Sequence, residues 1–260
     1  MRAHSLIAVS LLATACTTLG PMPATTGLSA VPTHRPGAEV QASVMPVFFL
    51  SDAAHEGDAD AAATPQLSAI LEPDRLFGSK GLILGARTWG ESGDSPLEPM
   101  IGVRRRLDDT FAIAGIAYGT FARGESGGAS YSATRFGGEA AIDATILPLG
   151  YLEFHAQATL AATYLDASGR YCVSSNGEAT DCDQYSRLVD GELAGIYTSA
   201  TAGVSLDIAR RPHGVLHGIR LAAMAAVGAM PRIRNGIQSA SNDHYRSFGL
   251  SLTIGLGSDD

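Results

Sequence analysis

The sequence predicts an all-β chain folded as an antiparallel up-and-down transmembrane β-barrel of about eight strands, with short turns at one end and long loops at the other. Three observations predict it. Apolar and polar residues alternate with period two through most of the chain after residue 79, the connections between these stretches are short and long in turn, and no stretch after the amino terminus is apolar for the length a membrane helix requires. Composition agrees. Of 260 residues 45% are hydrophobic and only 17% charged, enough apolar content to organise a core and exclude a disordered chain. A net charge of -8 lacks the basic footprint that would neutralise phosphates, which excludes a nucleic-acid binder.

The first element, residues 1–15, reads as an export signal. Arg2 supplies the positive start, Leu6 to Ala13 form a short apolar run, and Ala13-Thr14-Ala15 offers small residues for cleavage. The run Leu12-Ala13-Thr14-Ala15-Cys16 resembles a bacterial lipobox, which implies that Cys16 is acylated. Ordinary cleavage after Ala15 suits the same residues and would leave the thiol free. Residues 16–78 read as a periplasmic spacer, because seven prolines and the acidic tract Asp52 to Asp60 fall there. Two apolar islands, 44–50 and 67–76, interrupt it as a short plug or helix, and Pro46 counts against a central strand.

The barrel is expected over 79–257, followed by a short acidic tail, 258–260. Its clearest strand is 151–166, where Leu152, Phe154, Ala156, Ala158, Leu160, Ala162 and Tyr164 share one face and Glu153, His155, Gln157, Thr159 and Thr163 the other. Phe136, Ala140, Ile142, Ala144 and Ile146 alternate with Arg135, Glu139, Asp143 and Thr145, and Phe248 to Leu256 repeats the pattern. Strands are expected near 79–89, 99–107, 110–123, 130–147, 151–166, 191–210, 214–230 and 243–257. Tight turns at 107–109, 148–150 and 211–213 alternate with longer loops at 90–98, 124–129, 167–190 and 231–242. Ten residues at about 3.3 Å rise and roughly 40° tilt project to about 25 Å, the height of a membrane's apolar band.

This architecture resembles the small outer-membrane β-barrels of Gram-negative bacteria. The resemblance implies an outer-membrane location with the N-terminal spacer in the periplasm, outer-membrane lipid as surroundings, and a polar lumen. Members of that class usually end on an aromatic residue, whereas this chain ends Gly257-Ser258-Asp259-Asp260. The lumen would hold Arg135, Glu139, Asp143, Glu153, His155 and Arg220 as a charge-paired plug. A three-residue turn at 148–150 sets Asp143 opposite His155 and Glu139 opposite Thr159, and a two-residue turn at 212–213 sets Ser205 opposite Arg220, with Asp207 diagonal.

Cys172 and Cys182 share one polar loop and form an even pair in an exported chain, so a loop disulfide is expected. Two cysteines without nearby histidines make no metal site. Arg123, Arg187, Arg232, Arg234 and Arg246 gather near the external strand ends, where planar guanidinium forks suit lipopolysaccharide phosphates. Some barrels of this class act on lipid A, but no serine and histidine form an outward-facing pair here, so no catalysis and no cofactor are expected. The expected function is structural or interactive, displaying a disulfide-stapled loop. The alternatives are a small-solute or lipid transport barrel and a tethered, soluble lipocalin-like barrel that binds lipid.

Overall fold

Alternation along the chain becomes inside and outside in the computed structural model. It describes residues 27–31, 37–49, 61–72, 81–89, 97–126, 129–149, 152–173, 179–180, 187–209, 216–234 and 237–256. The strands are β1 Ala38–Phe49, β2 Ala61–Leu71, β3 Leu82–Trp89, β4 Leu97–Arg106, β5 Phe111–Ser126, β6 Ala129–Leu149, β7 Leu152–Val173, β8 Ala179–Thr180, β9 Arg187–Ala209, β10 Leu216–Arg234 and β11 Ile237–Leu256. All except β8 pair antiparallel in chain order, and β11 returns to β1, so ten strands close into a barrel. β8 is a side strand on the end of β7.

The register fixes the barrel's shape. Followed partner by partner from Ala38 through Leu71, Leu84, Ile101, Ala117, Gly138, Ala162, Thr198 and Ala229, it arrives at His244. Tyr245 beside it pairs with Phe49, so one circuit climbs β1 by about a dozen residues. With ten strands about 4.8 Å apart and a rise of about 3.3 Å, that stagger corresponds to a strand tilt of about 40°.

The outward face is apolar. Leu97, Leu160, Phe121 and Leu250 are exposed by 67%, 66%, 63% and 62%, and Phe136 and Tyr164 stack outside with ring centroids 5.1 Å apart. The inward face carries Glu39, Arg87, Glu98, Arg104, Arg135, Asp143, His155, Asp207 and Arg220, all buried. This distribution is the reverse of a soluble globule, whose charges face water.

Several expectations are corrected. The barrel has ten strands and not about eight, because two further strands lie within the stretch read as spacer. Glu39, Gln41 and Ser43 of β1 and Gln66 and Ser68 of β2 face inward, and the pair bridges β11 to β3. Pro46 lies within β1 after all. The pairing of β1 with β2 runs through it, while the ladder to β11 skips Met45 and Pro46, as a residue without an N–H requires.

Both predicted hairpin registers are off by two. Asp143 pairs with Gln157 and His155 with Thr145, and a bulge follows between Thr145 and Leu147. Arg220 pairs directly with Asp207. A slip of two preserves which face each residue occupies, so the inward set survives while its partners change. Finally, much of the loop predicted at 167–190 is strand: β7 and β9 stay paired up to Val173 and Arg187, a ribbon that runs past the last β6 pairing at Arg170 and the last β10 pairing at Thr198.

Candidate functional site in the barrel lumen

The lumen is built in two layers. At the short-turn end, Arg220 lays its guanidinium fork on the Asp207 carboxylate directly across the β10–β9 ladder, with Nη2 2.5 Å from Oδ2. Arg104, near the end of β4, places Nη1 and Nη2 each 3.0 Å from Glu39 Oε2 and donates from Nε to Glu72. His155 Nε2 lies 3.5 Å from Glu153 Oε2 and 3.6 Å from Asp207 Oδ2, while its Nδ1 lies 3.2 Å from Thr145 Oγ1.

Among these charges sits a segment of the chain itself, Gly27 to Val31. Leu28, Ala30 and Val31 are 2%, 1% and 6% exposed. They pack on an apolar wall contributed by β2 to β6, including Ile70, Ile83, Met100, Ala112, Ile116 and Ala141. The polar wall holds the segment's main chain. Gln157 Nε2 donates to the Leu28 carbonyl at 2.6 Å, Arg220 Nη1 to the Val31 carbonyl at 2.8 Å, Gln41 Nε2 to the Gly27 carbonyl at 3.2 Å and Arg104 Nη1 to the Ser29 carbonyl at 3.5 Å. Asp143 Oδ2 accepts the Val31 N–H at 3.2 Å and the Ser29 hydroxyl.

The segment has a direction. Val31 touches Arg220, while Gly27 lies against Met224, four residues further along β10 toward the loops. Gly27 is left-handed, with φ 65°, a conformation that strains other residues, and a Cβ there would stand 3.1 Å from both Met224 Cε and Gln41 Nε2, so both side-chain ends would have to give.

The second layer lies nearer the loops. Glu98 pairs with Arg87 and, at 3.3 Å, with Arg135. Both guanidinium carbons face the rings of Trp89 and Tyr118, at 4.5 to 5.6 Å from the centroids. Tyr118 Oη is 2.8 Å from Thr163 Oγ1, and the ring lies over Gly137, its partner across the β5–β6 ladder. Tyr245 lies in the same way over Gly228.

Of the residues expected in the lumen, Arg135, Glu139, Asp143, His155 and Arg220 are all 5% exposed or less, and Glu153, its side chain 26% exposed, lies toward the short-turn rim. They do not form one cluster. Asp143, His155 and Arg220 meet around the segment, whereas Arg135 belongs to the aromatic layer. Arg87, Glu98 and Arg104 went unassigned. The outward Ile101 and Val103 beside them on β4 carry the parity that places Glu98 and Arg104 inside. Segment 27–31 has no such signal.

Arg246 is exposed on the outer face of β11, and the backbones of Arg123, Arg187, Arg232 and Arg234 lie toward the loop ends of their strands. Cys172 lies in β7 opposite Leu188, while Cys16 and Cys182 are outside the described residues. Among the described residues, no three His, Cys, Asp or Glu side chains group as a metal site would need.

No protein-family model matches the chain, and no curated protein matches it. Solved structures similar to it include neisserial surface protein A, at 13% identity over 84% of this chain and 96% of that one, TM-score 0.33. The translocator domain of the autotransporter NalP from Neisseria meningitidis is 11% identical over 84% and 88%, TM-score 0.34. The toluene transporter TbuX of Ralstonia pickettii is 9% identical over 86% and 90%, TM-score 0.26. Likenesses this distant say nothing of what the chain does, and its closure into an all-β antiparallel barrel stands on the pairing of its own strands.

Proposed function

We propose that the chain is an outer-membrane β-barrel of a Gram-negative bacterium, closed at rest, with a structural or interactive role and no catalysis. The membrane reading is supported by the outward belt of Leu, Ile and Phe and by the burial of charge within. The same belt argues against a soluble, lipid-binding barrel, which would turn its apolar face inward. In this reading the short turns face the periplasm and the β7–β9 ribbon stands outside, stapled by Cys172 and Cys182. Arg123, Arg187, Arg232, Arg234 and Arg246 then meet lipopolysaccharide phosphates, and an acylated Cys16 adds a tether.

The observation that carries the closed state is the occupied lumen: a five-residue segment and paired charges at one level, two arginines stacked on aromatic rings at the next. Ten strands enclose more space than eight, so without these occupants a water path could exist. The transport alternative therefore requires the segment to leave. Folded protein, identified by heat-modifiable migration, should show no sustained conductance in planar bilayers at neutral pH. A stable conductance from the folded monomer would overturn the closed reading in favour of transport.

A further inference from the structure

The wall holds residues 27–31 by what every peptide has in common. Gln41, Gln157, Arg104 and Arg220, from four different strands, each donate to a main-chain carbonyl of the segment, and Asp143 from a fifth accepts a main-chain N–H. A single side chain of the segment, Ser29, adds a polar contact to this set, again to Asp143. Such a site selects a peptide by its main chain, with the uncharged side chains Leu28, Ala30 and Val31 buried against the wall.

The wall's ion pairs are also complete without the segment. Arg104 keeps Glu39 and Glu72, and Arg220 keeps Asp207, so withdrawal strands no arginine. Asp143 is the residue built toward the occupant. It is fully buried, and the hydrogen bonds described for its carboxylate come from Ser29 and Val31. The segment accepts from two arginines of the network but supplies neither with a counter-charge.

We propose that the short-turn half of the lumen is a binding site for a short peptide held by its main chain, and that residues 27–31 are its tethered, exchangeable occupant. The site lies inside the barrel and does not depend on whether the barrel crosses a membrane.

The test uses the full-length protein in detergent micelles with Ala30→Arg, which expels the segment and leaves the wall unchanged. The probe is a fluorescein-labelled synthetic peptide of residues 25–34, followed by fluorescence anisotropy. The variant should bind it saturably, and the wild type roughly tenfold or more weakly, since its own segment competes at a high effective concentration. Adding Asp143→Leu to the variant, or Ala30→Arg to the peptide, should abolish binding. A variant that still migrates as folded barrel and binds no peptide overturns the proposal, as does equal binding with and without Asp143→Leu.

Should Ala30→Arg fail to fold, hydrogen exchange on the wild type decides. An exchangeable segment releases the Val31 amide roughly a hundredfold faster than the neighbouring amides of Ala114 and Ile116. Exchange at the same rate would make the segment permanent core and the proposal wrong.

Discussion

The two halves of the lumen hold their arginines by different means. Near the short turns each guanidinium meets at least one carboxylate of its own: Arg220 has Asp207, and Arg104 has Glu39 and Glu72. Nearer the loops, Arg87 and Arg135 share Glu98, and the π faces of Trp89 and Tyr118 supply the remaining negative potential. Neither Nη1 nor Nη2 of Arg87 finds an acceptor among the described residues. The difference teaches where tolerance should lie. A redundant network survives the loss of one member, whereas a carboxylate shared by two cations takes charge from both when it is lost.

Glu98→Gln is therefore expected to have the largest effect. It removes the counter-charge that the buried Arg87 guanidinium pairs with and one that Arg135 shares, a class of change that costs about 3–5 kcal/mol. Glu72→Gln, in the other half, leaves Arg104 with Glu39 and should cost about 1–3 kcal/mol, the loss of a charged hydrogen bond. Urea unfolding of both variants in lipid vesicles checks the order. Equal costs would break the distinction between a shared and a redundant carboxylate.

The aromatic layer also depends on the glycine beneath it. A Cβ on Gly137 would stand 2.6 Å from Tyr118 Cε2 and 2.6 Å from the Ala162 carbonyl, so Gly137→Ala must displace the ring that both arginines face. Overpacking of this kind costs about 1–3 kcal/mol. Gly115→Ala, on the neighbouring strand, meets nothing within 4 Å and should stay within about 0.5 kcal/mol of wild type. The same unfolding assay reads both. A neutral Gly137→Ala would show that the ring's position is not what holds the arginines.

Facing was legible in the sequence wherever a strand sets charged residues against aliphatic ones. Along β6 and β7 the inward set Arg135, Glu139, Asp143, His155, Gln157 and Thr159 follows directly from period two. It was fainter along β5, where Ala112, Ala114, Ile116 and Tyr118 point inward and Phe111, Ile113, Ala117 and Phe121 outward, because both faces are apolar. The reason is the segment: its Leu28, Ala30 and Val31 require an apolar wall, and a wall that packs on protein resembles one that packs on lipid.

β1 and β2 were hidden by composition. Pro46 and Pro65 lie two positions from facing one another, at Val44↔Pro65 and Pro46↔Ala63, in a stretch rich in Ala, Ser and Thr. The segment itself was beyond reach. Its partners Gln41, Arg104, Asp143, Gln157 and Arg220 are scattered through the chain, up to 189 residues away, and meet only once the barrel has closed.

The smallest effect belongs outside the lumen, and it sharpens the contrast between carboxylates that answer to buried partners and one that answers to backbone in water. In the turn between β4 and β5, Asp108 Oδ1 accepts the N–H groups of Phe111 at 2.7 Å and Thr110 at 2.8 Å. These bonds favour the ionised form and hold the Asp108 carboxyl below its ordinary value. A depressed folded-state pKa contributes stability that is present in full above the unfolded-state value, near pH 4, and is lost as pH falls through the folded-state value. Asp108→Asn retains an acceptor oxygen but no titration. The stability difference between wild type and Asp108→Asn should therefore be constant from neutral pH down to about pH 5 and shrink below about pH 4. Urea unfolding across that range measures it, and a difference that grew on acidification would mean that the turn does not hold the carboxylate in its charged form.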